Sequence, residues 1–329
     1  MQRFMHVLQH WTPLQVKENN VVPVKEVVSL PVFPEFKKLT LEDRHIIEEF
    51  VKDHPPYSDF NFTSLWCWNT NDSTMFSILY DNLVIQMQDY TTGKTIFTYI
   101  GTNEPVLTTE RLLNYAENFG VTELSLIPEV THNELQKHDH PFEVVEDRDN
   151  FDYIYKLEHI VKMCGSKLRS KLKLMDDFVE DNEVDVKVSK GITKDSHDAI
   201  ITLFHKWKHH KNPTPEEYEH ELEAINRCLD AADKSDLTTV IVYVAGKPAG
   251  FTISESVQHD HSITHFGKVS YDYPGTWEYL LHQTAKVHHN DGKISLNQEQ
   301  DLGLQHLRQG KEMWDPSHFL KKYKITRKI

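Results

Sequence analysis

The sequence contains little cysteine, and its cysteines are widely spaced. The three residues are Cys67, Cys164 and Cys228, an odd number with no pair at the two-residue spacing of zinc ligands. This spacing excludes a disulfide framework and a zinc finger. No apolar stretch approaches the length of about 18 residues that crosses a membrane, and the start MQRFMHVLQHWTPLQ lacks the apolar core of a signal peptide. The composition therefore predicts a cytoplasmic protein with reduced thiols and no transmembrane segment.

Glycine is also scarce, with 12 residues in a chain of 329, and the glycine-rich loops that bind nucleotides are missing. The sequence has no Walker loop, no Rossmann fingerprint and no G-x-S-x-G turn that would present a nucleophilic serine. Basic residues are outnumbered as well, since the formal net charge is −14 at pH 7. This charge argues against general DNA binding, although short basic runs occur at residues 162–173, 205–211 and 321–328.

Hydrophobic periodicity predicts an α/β protein built in successive parts. Two hairpins are predicted to turn at Asp81-Asn82 and Gly246-Lys247, and HFLKKYKI is predicted to be one closing strand. From Ile263 onward the predicted order is strand, helix, strand, helix, strand, which is the order of the acetyltransferase-like fold. The predicted parts are an N-terminal extension (1–34), a first domain (35–160), a basic connecting helix (161–183) and a second domain (184–329).

The strongest candidate for chemistry is the segment NQEQDLGLQHLRQGK, from Asn297 to Lys311. A strand is predicted to end there and a helix to begin at Asp301, so the polar residues lie where open α/β sheets bind ligands. Glu299 suits either the binding of an amine cation or, if buried, general-base chemistry. Arg308 and Lys311 suit a phosphate or a carboxylate. A structural alternative stays open, in which Asp301 caps the helix and the two cations complement its C-terminal end.

A second candidate is the turn SYDYPGTWEYL. In an acetyltransferase-like unit this turn holds the pyrophosphate of coenzyme A with backbone N–H groups. Only Gly275 of the usual pattern is present, and no arginine or glutamine precedes it, which weakens the prediction of acyl-coenzyme A binding. Tyr271 and Tyr273 are candidates for substrate binding by stacking, with core or rim packing as the alternative.

Two basic runs are candidates for other ligands. Lys167, Arg169 and Lys171 lie on the predicted connecting helix and suit an RNA phosphate backbone, a solvated helix surface being the alternative. The tract HKWKHHK places His205 and His209 four residues apart on a helix, as in some metal sites, but no carboxylate stands at metalloprotease spacing. A basic helix end is therefore favoured there, and no metal is predicted.

Four segments together resemble the phosphatidylglycerol lysyltransferase C-terminal-like family of bacterial proteins, over about residues 35–329. They are FKKLTLEDRHIIEEF, PPYSDFNFTSLWCWN, FDYIYKLEHIVKMCGSKLRSKLKLMDDF and ISLNQEQDLGLQHLRQGKEMWDPSHFLKKYKI. In the last segment N-x-E-x-D-x-G, L-R-x-x-K and P-x-x-x-x-K-K-Y occur in that order. The resemblance implies two tandem GNAT-like (acyl-CoA N-acyltransferase-like) domains, with mixed, mainly antiparallel sheets flanked by helices, similar to the Fem-type aminoacyltransferases.

The resemblance also implies an activity and a set of residues. In the wider group a charged tRNA donates its amino acid to a lipid or peptide acceptor, so aminoacyl-tRNA is the implied donor and no separate cofactor is expected. Glu299, Asp301 and Arg308 are then the predicted catalytic residues, and Asn297, Lys311 and Gly275 are predicted to bind substrate together with Tyr271 and Tyr273. The residues that match the family's motifs are Asn297, Glu299, Asp301, Arg308 and Lys311 in the closing motif, and Lys167 and Arg169 in the basic connector.

The leading interpretation is a soluble acyltransferase that moves an aminoacyl group from tRNA to a lipid, peptide or small-molecule acceptor. Two alternatives stay open: an acyl-CoA-dependent N-acyltransferase, and a non-catalytic binding protein on the same fold. Lysyltransferases of the family are usually fused to a membrane-embedded flippase. This sequence contains none, so a soluble acceptor stays open beside a lipid.

Overall fold

The structure is a computed structural model that describes residues 30–89, 92–211, 214–231 and 236–328. The predicted N-terminal extension therefore lies largely outside the described residues. The elements of the first part are β1 (Lys37–Lys38), α1 (Arg44–Val51), α2 (Phe62–Cys67), β2 (Met75–Leu79), β3 (Asn82–Gln88), β4 (Thr95–Ile100), α3 (Pro105–Ala116), β5 (Glu123–Pro128), α4 (Glu129–Leu135), β6 (Phe142–Glu146), β7 (Asp152–Lys156) and α5 (Leu157–Lys162).

The second part begins with the predicted connecting helix and is longer. Its elements are α6 (Arg169–Asp181), β8 (Val184–Lys190), α7 (Lys194–Lys211), α8 (Pro215–Asp230), β9 (Leu237–Val244), β10 (Lys247–Ser256), β11 (His261–Val269), α9 (Thr276–Asn290), β12 (Ser295–Asn297), α10 (Gln305–Glu312), β13 (His318–Leu320) and β14 (Lys322–Arg327).

The same arrangement of strands occurs twice in the protein. Four strands in antiparallel order, β1-β2-β3-β4 or β8-β9-β10-β11, are followed by a group of three, β5-β14-β6 or β12-β7-β13. In each group of three the middle strand comes from the other part of the chain. Among the strand pairs that the structure describes, only β11 and β12 run parallel, so the predicted mixed, mainly antiparallel α/β fold is confirmed.

The exchange of β7 and β14 ties the two parts together. β14 pairs with β5 and β6, while β7 pairs with β12 and β13. The residues from Pro31 onward form one compact unit. The boundaries drawn at residues 160 and 184 stay a prediction, and the exchange means that neither range contains all the strands of its own sheet.

Helix α2 lies between the two parts and packs on both. Phe62 and Leu65 belong to the apolar core beside β2 and β3, and Cys67 belongs to the core of α7, α8 and β10. The side chain of Asn61 caps the helix by accepting a hydrogen bond of 2.9 Å from Ser64 N–H. The apolar residues of α2 thus fix its polar side chains beside the ends of β10 to β12.

Three local predictions were wrong by small amounts. The hairpins turn at Tyr80-Asp81 and Ala245-Gly246, each with φ between 47° and 74°, one residue earlier than predicted. The closing strand is two strands, because the chain passes from one sheet to the other at Lys321. The helix predicted from Asp301 begins only at Gln305.

Candidate functional site

The candidate site lies where the two parallel strands separate. β11 and β12 pair over three residues, ending at Ile263 and Asn297, and β11 alone continues to Val269. Just beyond the last pair, Gln298 Nε2 donates a hydrogen bond of 2.9 Å to Thr264 Oγ1. Polar side chains therefore fill the gap between the diverging strands, at the carboxyl end of β12.

Glu299 occupies this gap in an unusual backbone conformation. Its φ is +56°, in the left-handed region, which costs a residue other than glycine about 1–2 kcal/mol. Its N–H donates to Asn297 Oδ1 at 2.7 Å, and its carbonyl oxygen accepts from Tyr153 N–H at 3.2 Å. The side chain is 18% exposed, so the backbone is held while the carboxylate is reachable from outside.

The Glu299 carboxylate contacts His265, a buried residue of β11. His265 Nδ1 lies 3.5 Å from Glu299 Oε1, and His265 Nε2 lies 3.1 Å from Glu255 Oε1 on β10. The Ser64 hydroxyl is 3.2 Å from both Glu299 Oε1 and His265 Nδ1. Burial favours the neutral imidazole, but hydrogen bonds to the two carboxylates outweigh it and raise the pKa of His265 to about 10. His265 is therefore a cation at neutral pH.

Polar groups of the first part surround Glu255. Asn61 Nδ2 donates to its Oε1 at 2.7 Å, Thr63 Oγ1 donates to its Oε2 at 3.1 Å, and Arg44 Nη2 lies 3.9 Å from Oε2. Burial alone would raise the pKa of Glu255, but the partners His265, Asn61 and Arg44 lower it. None of these residues was predicted as a site residue.

A second buried cluster surrounds Lys322, the first residue of β14. Its ammonium lies 2.8 Å from Asp152 Oδ1 and also contacts the Asp59 carboxylate. Asp152, the first residue of β7, accepts further hydrogen bonds from Ser58 N–H at 2.8 Å and Asn297 Nδ2 at 3.3 Å. The cluster thus joins the first residues of the two exchanged strands. Asn297, predicted to bind substrate, is fully buried within it.

Asp59 links the two clusters. Gln300 Nε2 donates to Asp59 Oδ1 at 2.7 Å, so the loop that carries Glu299 is tied to the Lys322 cluster. Burial raises the pKa of Asp59 to about 6, although the charge of Lys322 opposes this change. A buried carboxyl group that titrates near neutral pH therefore lies beside the loop.

Asp301 and Arg308 form a third group that anchors α10. Asp301 is fully buried and accepts hydrogen bonds from Tyr153 OH at 2.6 Å, Arg148 Nη1 at 3.1 Å and Arg308 Nε at 2.9 Å. Burial would raise the pKa of Asp301, but hydrogen bonds from Arg308, Tyr153 and the Gly303 N–H lower it to about 2. Arg308 also donates to Asp149 Oδ1 at 2.6 Å. Asp301 and Arg308, two of the three predicted catalytic residues, are thus bound to protein partners, and their catalytic roles stay predictions.

A family model described as phosphatidylglycerol lysyltransferase, C-terminal, matches residues 53–326. The chain belongs to this family. The match spans both parts of the chain and includes α2, β11 and the Asn297–Lys311 segment, so all residues of the clusters described above except Arg44 lie within it. The resemblance that the sequence motifs indicated is confirmed, and with it a relationship to aminoacyl and acyl transferases.

Solved structures share the fold of this family member. A conserved protein of unknown function from Bacteroides thetaiotaomicron is 23% identical, with a TM-score of 0.78 over 89% of this chain and 99% of that chain. The L-PGS structure from Bacillus licheniformis is 14% identical, with a TM-score of 0.57 over 87% and 92%. FemX is 10% identical, with a TM-score of 0.55 over 89% and 97%. Among curated proteins none matches the sequence.

No helix in the part of the chain that the structure describes is both long enough and apolar enough to span a bilayer. The same residues contain no group of three or more histidine, cysteine, aspartate or glutamate side chains placed to hold a metal ion. Within the tract predicted as a basic helix end, the His205 imidazole contacts the Tyr218 hydroxyl. The side chains of His209, His210 and Lys211 lie outside the described residues.

The turn that holds a pyrophosphate in acetyltransferase-like units is covered by α6 in this protein. Gly275 precedes α9 with φ +87°, and a Cβ there would lie 2.2 Å from Leu174 O and 2.8 Å from Phe178 Cβ. Tyr273 is partly buried against the same core as Phe178, whereas Tyr271 is half exposed. The small size of Gly275 therefore serves helix packing.

Gly275→Ala is expected to destabilise the fold more than the backbone angle alone explains. Gly246 has a similar φ of +74° with nothing within 4 Å of its Cβ position, so Gly246→Ala measures the backbone cost, about 1 kcal/mol. We expect Gly275→Ala to cost about 1–3 kcal/mol more, because the new methyl group overlaps α6. Urea unfolding of both variants measures the difference, and equal losses would contradict the packing role.

The basic connector is only partly available to a ligand. Lys171 is buried, with its Nζ 3.4 Å from Glu278 Oε1 and 4.7 Å from the centre of the Trp314 ring. Lys167 is exposed but lies 2.5 Å from Asp315 Oδ1. Arg169 is exposed, so it and Lys167 are the predicted RNA-binding residues that face solvent.

Proposed function

We propose that this chain transfers an aminoacyl group from aminoacyl-tRNA to an amine or hydroxyl acceptor in the cytoplasm. The observation that carries the proposal is the Glu299 carboxylate, which is partly exposed on its outer side and held on its inner side by Ser64 and His265. Family membership supports the class of reaction, and the geometry supports the place where it occurs.

Glu299 suits the α-ammonium group of the aminoacyl donor. Both contacts to His265 and Ser64 use Oε1, and within the described residues Oε2 takes part in no hydrogen bond. A carboxylate oxygen in that position forms a strong, charge-assisted hydrogen bond with an ammonium group. We therefore assign Glu299 to amine binding, one of the two roles that its position in the sequence left open.

The reaction needs little activation, because an aminoacyl ester is already reactive. The acceptor nitrogen or oxygen attacks the ester carbonyl carbon, a new carbon–nitrogen or carbon–oxygen bond forms, and the bond from that carbon to the ribose oxygen breaks. The proton lost by the acceptor ends on the ribose oxygen. Holding donor and acceptor together supplies most of the rate. Arg308, one of the predicted catalytic residues, is engaged by Asp301 and Asp149, so we assign it to support of the loop.

The covered turn at Gly275 favours a tRNA ester over acyl-coenzyme A. An acyl-coenzyme A donor needs backbone N–H groups for its pyrophosphate, and α6 packs on this turn. The acyl group of a charged tRNA is attached to a ribose and does not require such a turn. Lipid, peptide and small-molecule acceptors all remain within the proposal.

A labelled transfer assay tests the proposal. Wild-type protein is incubated with tRNA carrying radiolabelled amino acids and with a cell extract, and label is followed from tRNA into other molecules. Glu299→Gln is expected to lower kcat/KM for the donor by about 10- to 100-fold, the effect of losing one charge-assisted hydrogen bond. Glu143→Gln, at an exposed carboxylate of β6, is the control and is expected to leave the transfer rate unchanged.

The possible outcomes separate the alternatives. Label that leaves tRNA only by spontaneous hydrolysis, together with tight binding of acetyl-coenzyme A in calorimetry, would replace the proposal by the acyl-coenzyme A reaction. Binding of charged tRNA without transfer would indicate a non-catalytic protein. Transfer that Glu299→Gln leaves intact would show that the chemistry occurs elsewhere.

A further inference from the structure

The left-handed backbone conformation of Glu299 must be stabilised by contacts with other residues. Its own N–H and carbonyl groups are bound to Asn297 and Tyr153, which fixes one peptide on each side. The carbonyl group of Gln298 belongs to the peptide before Glu299, and that of Gln300 to the second peptide after it, so the two enclose the residue whose φ is +56°. A residue that binds both carbonyl oxygens can therefore hold the loop in this conformation.

Lys311 is that residue. From the end of α10 its ammonium group donates hydrogen bonds to the carbonyl oxygens of both Gln298 and Gln300. It also lies 5.6 Å from the centre of the Tyr153 ring, within the range of a cation–π contact. The carbonyl oxygen of Lys311 accepts a hydrogen bond of 2.8 Å from Tyr155 OH, so β7 fixes the end of the helix from which the side chain extends.

We propose that Lys311 is a positioning residue, whose charged ammonium group keeps Glu299 in its left-handed conformation and in contact with His265. The sequence predicted instead that Lys311 binds substrate, but its ammonium group faces the protein's own carbonyl groups. The part that Glu299 plays in transfer rests on the proposed function. The positioning by Lys311 does not, because it concerns a contact within the protein.

The proposal makes the position of Glu299 depend on pH. Burial lowers the pKa of Lys311 to about 8, although the carboxylates of Glu299, Asp152 and Asp301 oppose this change, and Lys322 adds to the lowering. Two phenols of β7 also contact Lys311: the Tyr153 ring lies beside its ammonium group, and Tyr155 OH donates to its backbone carbonyl oxygen. Above pH 8 Lys311 is increasingly neutral, and its hydrogen bonds lose their charge assistance.

The pKa of His265 reports the position of Glu299 without any activity assay. Glu299 and Glu255 are the two carboxylates that raise this pKa, so moving Glu299 away lowers it. The titration is followed by NMR of the histidine rings in wild type, Lys311→Met, Lys311→Arg and Glu299→Gln. Lys321→Met, ten residues along the chain at an exposed position with a surface partner, is the control.

We expect Lys311→Met to lower the pKa of His265 by about one unit or more, close to its value in Glu299→Gln. Lys311→Arg, which stays charged at every pH, is expected to keep the wild-type value, as is Lys321→Met. A crystal structure of Lys311→Met is expected to show Glu299 with a negative φ. An unchanged His265 titration together with an unchanged Glu299 φ in Lys311→Met would overturn the proposal.

Wild-type protein supplies a second measurement in case Lys311→Met does not fold. Crystals are grown at pH 6.5 and at pH 9.5, one value below and one above the pKa of Lys311, which is about 8. The proposal expects Glu299 to contact His265 in the first crystal and to lose its left-handed φ in the second. The same Glu299 conformation in both crystals would count against it, whatever the transfer assay shows.

Discussion

Lys322→Met is expected to destabilise the protein by about 3–5 kcal/mol, because it leaves two buried carboxylates without their cation. Lys322 is fully buried, and its partners Asp152 and Asp59 are almost completely enclosed. The pair of Lys322 and Asp152 also joins the exchanged strands β14 and β7, so its loss weakens both sheets at the point where they interlock. Thermal unfolding should show a fall in Tm of about 5–8 °C.

The neighbouring residue supplies the matched control. Lys321 pairs at 2.7 Å with Glu146, and the two side chains are 38% and 50% exposed, so Lys321→Met is expected to cost less than about 1 kcal/mol. Adding Asp152→Asn to Lys322→Met is expected to recover part of the loss, since it removes one of the uncompensated charges. If the two methionine variants unfold within about 1 kcal/mol of each other, the buried cluster does not have the stabilising role assigned to it.

The free energy of unfolding is expected to fall as pH rises above neutrality, because of His265. Its pKa is about 10 in the folded protein against an ordinary 6.5, so the folded state binds the extra proton throughout this interval. The stabilisation is complete below pH 6.5 and is lost as pH rises through 10. The slope is at most about −1.4 kcal/mol per pH unit, and the whole effect is on the order of a few kcal/mol.

The cleanest interval for this measurement lies between pH 7 and pH 8. The histidines with a lowered pKa change charge below that interval, and Lys311 acts in the opposite direction above about pH 8. Denaturant unfolding at several pH values compares wild type with His265→Gln, which lacks the titrating group. We expect the negative slope to disappear in the variant. Parallel pH dependences for the two proteins would show that His265 is not a cation in the folded state.

The sequence predicted the family, the mixed α/β fold and the segment from which the site is built. Motif spacing carried this information, because N-x-E-x-D-x-G at a strand end places polar groups where the strands separate. The predicted positions of the hairpin turns were less exact, because the positive φ values fall on Tyr80-Asp81 and Ala245-Gly246, one residue before the predicted pairs. A hairpin turn is set by the register of both strands, which no single residue pair reveals.

The sequence could not assign roles within the candidate site. Glu299, Asp301, Arg308 and Lys311 stand close together in the chain. The charges of the last three are bound by protein partners, whereas the Oε2 atom of Glu299 takes part in no hydrogen bond within the described residues. Asp301 is an anion bound by Arg148 and Arg308. Lys311 binds backbone carbonyl oxygens of the loop. Charge and spacing are the same for a ligand-binding side chain and a structural one, and the two differ only in the hydrogen-bond partners that folding gives them.

What the sequence determined by itself was local: helices and strands from hydrophobic period, and a family from ordered motifs. Only the tertiary structure decided which partners each charged group contacts. His265 meets Glu299 and Glu255 across two strands, Ser64 joins them from 201 residues away along the chain, and Lys322 meets Asp152 because two strands change sheets. The energy of a buried charge depends on partners brought together by folding, and for that reason no local pattern could have predicted which residues form the site.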